Sequence, residues 1–235
     1  MLNNTLYFGQ AGPKGTEIGT LEVGTLVKIN ENGAPIEYTI VNQGLPSSMY
    51  DASCDGCWVL RKDIAESRTW DGSSNDYKNS DIHAYLNGSW TSRYSAGVLS
   101  QIKQVKIPYR KGSGTSKTVT SGANGLSAKI FLLSSTEVSF NHNYMPTNEG
   151  AELSYFAGCA DSGSDNKRVA YLNSSATDWW LRSPYTDDYY ADFALNVDTN
   201  GYWNSIICAY SYGVRPALVL PSTALVDQDL NLIET

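Results

Sequence analysis

The chain has 235 residues and a formal net charge of −7 at pH 7. That charge argues against a nucleic-acid binder working by phosphate neutralisation, which needs a basic stripe. No apolar run approaches the roughly 20 residues of a membrane span, and four cysteines do not make a disulfide framework at this length.

One long domain accounts for the chain, large enough to hide roughly 70–75% of the surface its unfolded form would expose. Residues 1–18 are Gly-rich and weakly patterned and read as a strap or linker, leaving a domain over 19–235. The N-terminal stretch MLNNTLYFGQAGPKG lacks the charged start and apolar run of a secretory signal.

Two alternating runs, Thr25–Asn30 and Ile36–Val41, flank an Asn-Gly and predict a β-hairpin. Cys54-Asp55-Gly56-Cys57 lies in a turn-rich stretch before the strand Trp58–Arg61. It reads as a turn carrying two thiols, since no second Cys-x-x-Cys completes a metal site and the pair does not open a helix after a strand as a redox motif requires. No cofactor or metal is implied.

Ser80-Asp81 caps a helix from Ile82 to about Ser89, and Ser95 caps another through Val98, Ile102 and Val105. A strand up to Tyr109 follows, then the loop KGSGTSKTVTSGANG and an apolar strand over Lys129–Leu133. The cluster Lys103, Lys106, Arg110, Lys111 and Lys117 reads as a solvated strand edge and loop. Residues 141–166 are irregular and polar. Strands are predicted over Arg168–Leu172, Asp178–Leu181 and Val214–Leu220, the last tolerating Pro216 at an edge or bulge. The fold class is α+β: two short helices packed on antiparallel sheets, with long loops.

The most informative stretch lies between two frame-like motifs, Trp179-Trp180-Leu181-Arg182-Ser183-Pro184 and Tyr212-Gly213-Val214-Arg215-Pro216. The segment inside them is crowded with Tyr, Asp, Asn and Ser and contains no Lys, Glu, Gln or Met. Rigid aromatics beside small polar groups suit a contact surface, because Tyr gives large area at small entropic cost. Adjacent residues of a strand point oppositely, so one of Ile206 and Ile207 is expected to be exposed. Leu195 and Val197 are expected to face inward, with Phe193 left undecided.

Catalytic signals are weak. His83 lies on a helix and His142 in a loop, neither with triad partners at a recognisable spacing. Asp187 and Asp188 are adjacent and would diverge, which makes a poor acid/base pair. Calcium binding would rest on Asp-rich stretches such as Asp161–Asp165, and neither Glu-Pro-Asn nor Gln-Pro-Asp occurs.

Four stretches together resemble a domain of unknown function from phage and bacterial proteins of gut Firmicutes, over about residues 20–222. They are GTLVKINENGAPIEYTIVNQG, SCDGCWVLRKDI, NSDIHAYLNGSW with LSQIKQVKIPYRKGSG, and WWLRSP…GVRPALVLPS. The C-terminal part resembles the variable proteins of diversity-generating retroelements.

That resemblance implies a C-type-lectin-like fold distantly related to formylglycine-generating enzymes. It also implies a variable segment 185–211, diversified at the adenines of Asn codons. Such changes reach Tyr, Asp, Ser, Ile, Ala, Phe, Cys or Thr but never Lys, Glu, Gln, Met or Trp; Trp203 would then be fixed framework. The variable positions carried over are Asp192, Phe193, Tyr202, Asn204, Ser205, Ile206, Ile207, Cys208 and Tyr210, with Tyr185, Asp187, Asp188, Tyr189 and Tyr190 on the same face. Trp179, Trp180, Arg182 and Arg215 are read as framework, with a ligand role for either arginine left open.

The implied protein is a non-enzymatic binder of a protein or glycan receptor on a bacterial host surface. It would sit on a phage tail or a bacterial surface, without membrane insertion, and homo-oligomers would add avidity. An oxidase of the formylglycine-generating type, using Cys159 and Cys208, and a virion assembly domain with 185–212 buried between subunits are the rivals.

Overall fold

A computed structural model of the chain describes residues 15–112, 118–141, 145, 148–160 and 163–235. The architecture is α+β, with two five-stranded sheets, several short strand pairs and two short helices.

The first sheet begins at the hairpin. Leu26–Glu31 pairs antiparallel with Ala34–Gln43, and Glu31 faces Ala34 across a two-residue turn. Asn32 and Gly33 have φ of 52° and 82°, the left-handed pair that matches the twist of a tight hairpin. Cys57–Arg61 adds next, then Ala217–Leu220, then Ile130–Phe131 at the far edge. Trp58 lies at the centre of this sheet's core, edge-on to Tyr50 and Phe131 at 5.5 and 5.4 Å.

The second sheet, called here the frame sheet, runs in the order Trp203–Ile207, Phe193–Val197, Trp179–Pro184, Ser211–Val214, Glu66–Thr69. Neighbours are antiparallel except the central pair, Trp179–Pro184 with Ser211–Val214.

One long ribbon joins the sheets. Cys57–Arg61 pairs with Ala217–Leu220 in the first sheet, and Glu66–Thr69 pairs with Ser211–Val214 in the second. Residues 62–65 and 215–216 form the corner. The strand predicted over Val214–Leu220 is therefore two strands in different sheets. Arg215-Pro216 breaks it, because proline brings no N–H to a ladder. Both halves are buried, so the apolar run hides the switch.

The helices follow their caps. α1, Asp81–Asn87, starts where Ser80 Oγ accepts the His83 N–H; α2, Ala96–Gln101, where Ser95 Oγ accepts the Val98 N–H. Val105 belongs to the next strand, Val105–Ile107, rather than to α2. The Lys129–Leu133 run is strand only over Ile130–Phe131, because Leu132 and Leu133 bond side chains and a single strand neighbour. The Arg168–Leu172 strand shortens to Tyr171–Leu172, paired with Ser175–Ala176.

Thr16–Glu17 pairs with Leu225–Val226 and Ile18 is fully buried, so the start of the described chain is part of the body. Arg110 is buried, so the basic cluster is not one solvated face; Lys117 lies outside the described residues. No helix of the described residues is long and apolar enough to cross a membrane.

Candidate ligand-binding face

Every residue of the Trp179–Pro184 strand is buried. Three indole N–H groups lock it in place. Trp179 donates to the Arg168 carbonyl at 2.8 Å, Trp180 to the Arg68 carbonyl at 2.9 Å, and Trp70 to the Leu181 carbonyl at 2.9 Å.

Beneath it lies a buried polar hub. Arg182 meets Glu137 through two parallel bonds, Nη1–Oε2 at 2.6 Å and Nη2–Oε1 at 2.7 Å, with neither side chain exposed. Its Nε donates to the Pro108 carbonyl at 3.1 Å and Nη1 also to Leu132 at 2.9 Å. Tyr50 donates to Glu137 at 2.8 Å, so both carboxylate oxygens are occupied. Close by, Glu149 accepts the Arg110 N–H at 2.9 Å and the Ser183 hydroxyl. Burial pushes the Glu149 carboxyl up, against the pull of Arg182.

Arg168 is a second tie. It is fully buried and donates to carbonyls that include those of Val138, Ser139, Ala160, Gly163 and Gly201. Sequence reasoning placed it in a strand; its role as a loop clamp has no local signature.

The predicted face rises from this frame. The Tyr185 N–H returns to the Phe193 carbonyl at 3.0 Å and closes the 185–193 loop. Inside it Asp187 caps a 3₁₀ turn over Asp188–Tyr190 by accepting the Tyr189 N–H at 3.0 Å; the Asp188 side chain lies outside the described part. Asn75, wholly buried, holds the loop from below, donating to the Phe193 carbonyl at 2.9 Å and more weakly to those of Tyr185 and Tyr190. Nothing in the polar sequence around Asn75 marks it for this task.

Four rings gather on the loop. Tyr190 meets Tyr185 at 5.6 Å, Tyr189 at 5.1 Å and Phe193 at 4.9 Å, each edge to face. Tyr189 is 85% exposed, Tyr210 54%, and Tyr190 and Tyr202 37% each. These four are among the six large apolar side chains that the described residues leave exposed, Leu45 and Tyr171 being the others.

The remaining predicted positions divide. Leu195 and Val197 are fully buried, as expected of the inward side. Phe193 is half-buried and belongs to the ring cluster, across the ladder from Ile207. Ile206 and Ile207 are both half-buried, because Trp203–Ile207 is an edge strand covered in part on each face; Ile206 packs on the core. Asn204 is exposed, while Asp187, Asp192 and Ser205 are half-buried.

Cys208 is wholly buried and does not belong to the face. Its N–H donates to the Asp192 carbonyl at 2.7 Å and its carbonyl accepts the Trp70 N–H at 2.9 Å, which draws the side chain inward.

Geometry also splits the face. Tyr202 lies in the Asp198–Tyr202 turn, at the opposite end of the paired strands from Phe193 and Ile207. Four residue steps at about 3.3 Å each separate the ends by about 13 Å. Gly201 shapes this turn at φ +76°, and a Cβ there would fall 2.0 Å from the Asp165 carbonyl oxygen. Trp203 stacks on Tyr202 at 6.0 Å.

All four cysteines are free and buried. Burial pushes the Cys54 thiol up to about 11, Cys57 to about 12 and Cys208 higher still, so thiolate is scarce at neutral pH. Burial lowers the His83 pKa, and its ring packs on Tyr77 at 5.1 Å. His142 and Asp161 lie outside the described residues. Among the described residues, no group of three or more His, Cys, Asp or Glu side chains is placed to hold a metal ion.

Comparison with curated proteins and with solved structures gave no significant match. A family model does match, over residues 55–222, which span both motifs of the frame and the whole ribbon that links the sheets. The chain belongs to that family, described as a domain of unknown function, DUF6273.

Proposed function

We propose that the chain is a non-enzymatic binding module. Its contact surface is the Tyr-rich loop 185–193 together with Ile207 and Tyr210, and the Asp198–Tyr202 turn supplies a second patch. The observation that carries this reading is the contrast at Pro184. The strand before it is buried throughout, and the loop after it turns Tyr189 outward at 85% exposure. Rings held on a rigid base lose little freedom on binding, and a few such anchors supply most of the energy of an interface.

The composition of 185–211 supports diversification of these positions by a retroelement. Two sheets with loops projecting from a rigid frame fit a C-type-lectin-like scaffold. A host-surface protein or glycan is the partner, met from a phage tail or a bacterial surface. The buried, weakly acidic thiols speak against the oxidase reading.

The test is adhesion of the purified chain to cells of a panel of gut Firmicutes. Tyr189→Ala with Tyr210→Ala should abolish adhesion while the melting temperature holds. Adhesion unchanged by the double substitution would sink the proposal.

A further inference from the structure

Arg168, Arg182 and Arg215 are all buried, and they are satisfied very differently. Arg182 has the Glu137 carboxylate, and Arg168 has a set of carbonyls on every N–H-bearing nitrogen. Arg215, only 3% exposed, donates from Nε to the Arg61 carbonyl at 2.9 Å and from Nη1 to the Arg168 carbonyl at 3.5 Å. Its Nη2 has no acceptor among the described residues, and no carboxylate of theirs lies within 4.0 Å.

Burial lowers the Arg215 pKa to about 10, so it remains a cation at neutral pH. A buried cation with no carboxylate in contact is costly, and the Trp179 ring 4.8 Å from the Arg215 guanidinium and the more distant Asp63 carboxylate offset part of that cost. Here the side chain lines a cavity of about 300 Å³ at the corner where the ribbon changes sheets. Lys62, Lys167 and Arg215 border it against the single carboxylate of Asp63, an excess of positive charge on an acidic chain. Lys62 is drawn toward Glu37 at 2.6 Å, which leaves Lys167 and Arg215 as its principal cations. Tyr155 and Tyr171 supply ring surface, and Asn166 a side-chain amide.

We propose that this corner cavity binds the carboxylate of an acidic sugar, with Arg215 as the anchor. Nη2 together with the second N–H of Nη1 forms the outer edge of the guanidinium, which matches the two oxygens of a carboxylate. Tyrosine rings pack on the apolar face of a sugar, and Asn166 and Asp63 can bond its hydroxyls. The volume is at the small end for ligand sites, enough for one sugar unit. A neighbouring cavity of about 700 Å³ shares Lys62, Asp63 and Tyr171 and gives a longer glycan room to continue. No lining residue falls within 185–210, so the site stands apart from the loop face.

Calorimetric titration of the full chain with glucuronic acid, glucose and inorganic phosphate, at one ionic strength, tests the assignment. Glucuronic acid should bind at least about tenfold tighter than glucose. Arg215→Lys should weaken it by about tenfold, since Lys cannot offer the fork. Should that variant fail to fold, two exposed positions carry the test: Lys167→Glu should weaken binding about threefold and Asp63→Asn should tighten it by a similar factor. Tyr189→Ala should leave it unchanged. Glucuronic acid bound no better than glucose, or indifferent to Lys167→Glu and Asp63→Asn, overturns the proposal. Phosphate bound as tightly as glucuronic acid overturns the assignment to an acidic sugar.

Discussion

The strand Trp179–Pro184 and the loop that follows it to Phe193 are neighbours in sequence and opposites in construction. The strand is held by indole N–H groups, a bidentate Arg–Glu pair and ladders on both sides. The loop is held by its own closing bond, one buried asparagine and ring-on-ring contacts. Fixing the backbone from beneath leaves side chains above free to vary, because few of them contribute to stability. Substitutions should therefore cost least where exposure is greatest.

Removing the hub should break the comparison most sharply. Glu137→Gln leaves the Arg182 guanidinium buried without its counter-charge, and the expected loss is about 3–5 kcal/mol. Denaturant midpoints measure it. A loss below about 1 kcal/mol would mean that the strand does not depend on the hub.

Asn75→Ala should come next, at about 1–2 kcal/mol, because its side-chain amide donates to the Phe193 carbonyl at 2.9 Å. Amide exchange should accelerate over 185–193 and stay slow over 179–184. Exchange rising equally in both would show that they are one cooperative unit rather than base and display.

Glu149→Gln should cost less than Glu137→Gln, and its cost should depend on pH. Burial raises the folded-state pKa of Glu149, so the group's contribution is full below its unfolded value of about 4.3. That contribution declines as pH rises through the raised folded value. The variant lacks this decline, so its deficit against the parent should be largest in acid and shrink toward neutrality. Melting temperatures of both chains across that range test the sign.

Legibility in the sequence tracks the range of the interaction. The Asn32-Gly33 turn and the Ser80 and Ser95 caps are local chemistry, and each was readable from a few residues. The Trp179–Pro184 frame stood out through its double Trp, and the exposed Tyr189 and Tyr210 through composition. What escaped depends on residues far apart. The switch of sheets at Arg215-Pro216 lies inside one buried run, which looks alike in either sheet. Arg168, Asn75 and Glu137 reach carbonyls or charges as far as 33, 118 and 45 positions away. Cys208 has the composition of the face but turns inward, because its backbone is bonded from both sides.

The finest test lies within the aromatic cluster itself. Tyr189 touches one ring of the cluster and is 85% exposed, whereas Tyr190 touches three and is 37% exposed. Tyr189→Ala should change stability by less than about 0.5 kcal/mol. Tyr190→Ala should cost more, since each edge-to-face pair contributes about 0.5–1.5 kcal/mol beyond buried area. The two would then separate recognition from support within adjacent residues: loss of partner binding with Tyr189→Ala at unchanged stability makes that ring a contact, while equal destabilisation by both makes the whole cluster scaffold and moves the contact surface elsewhere.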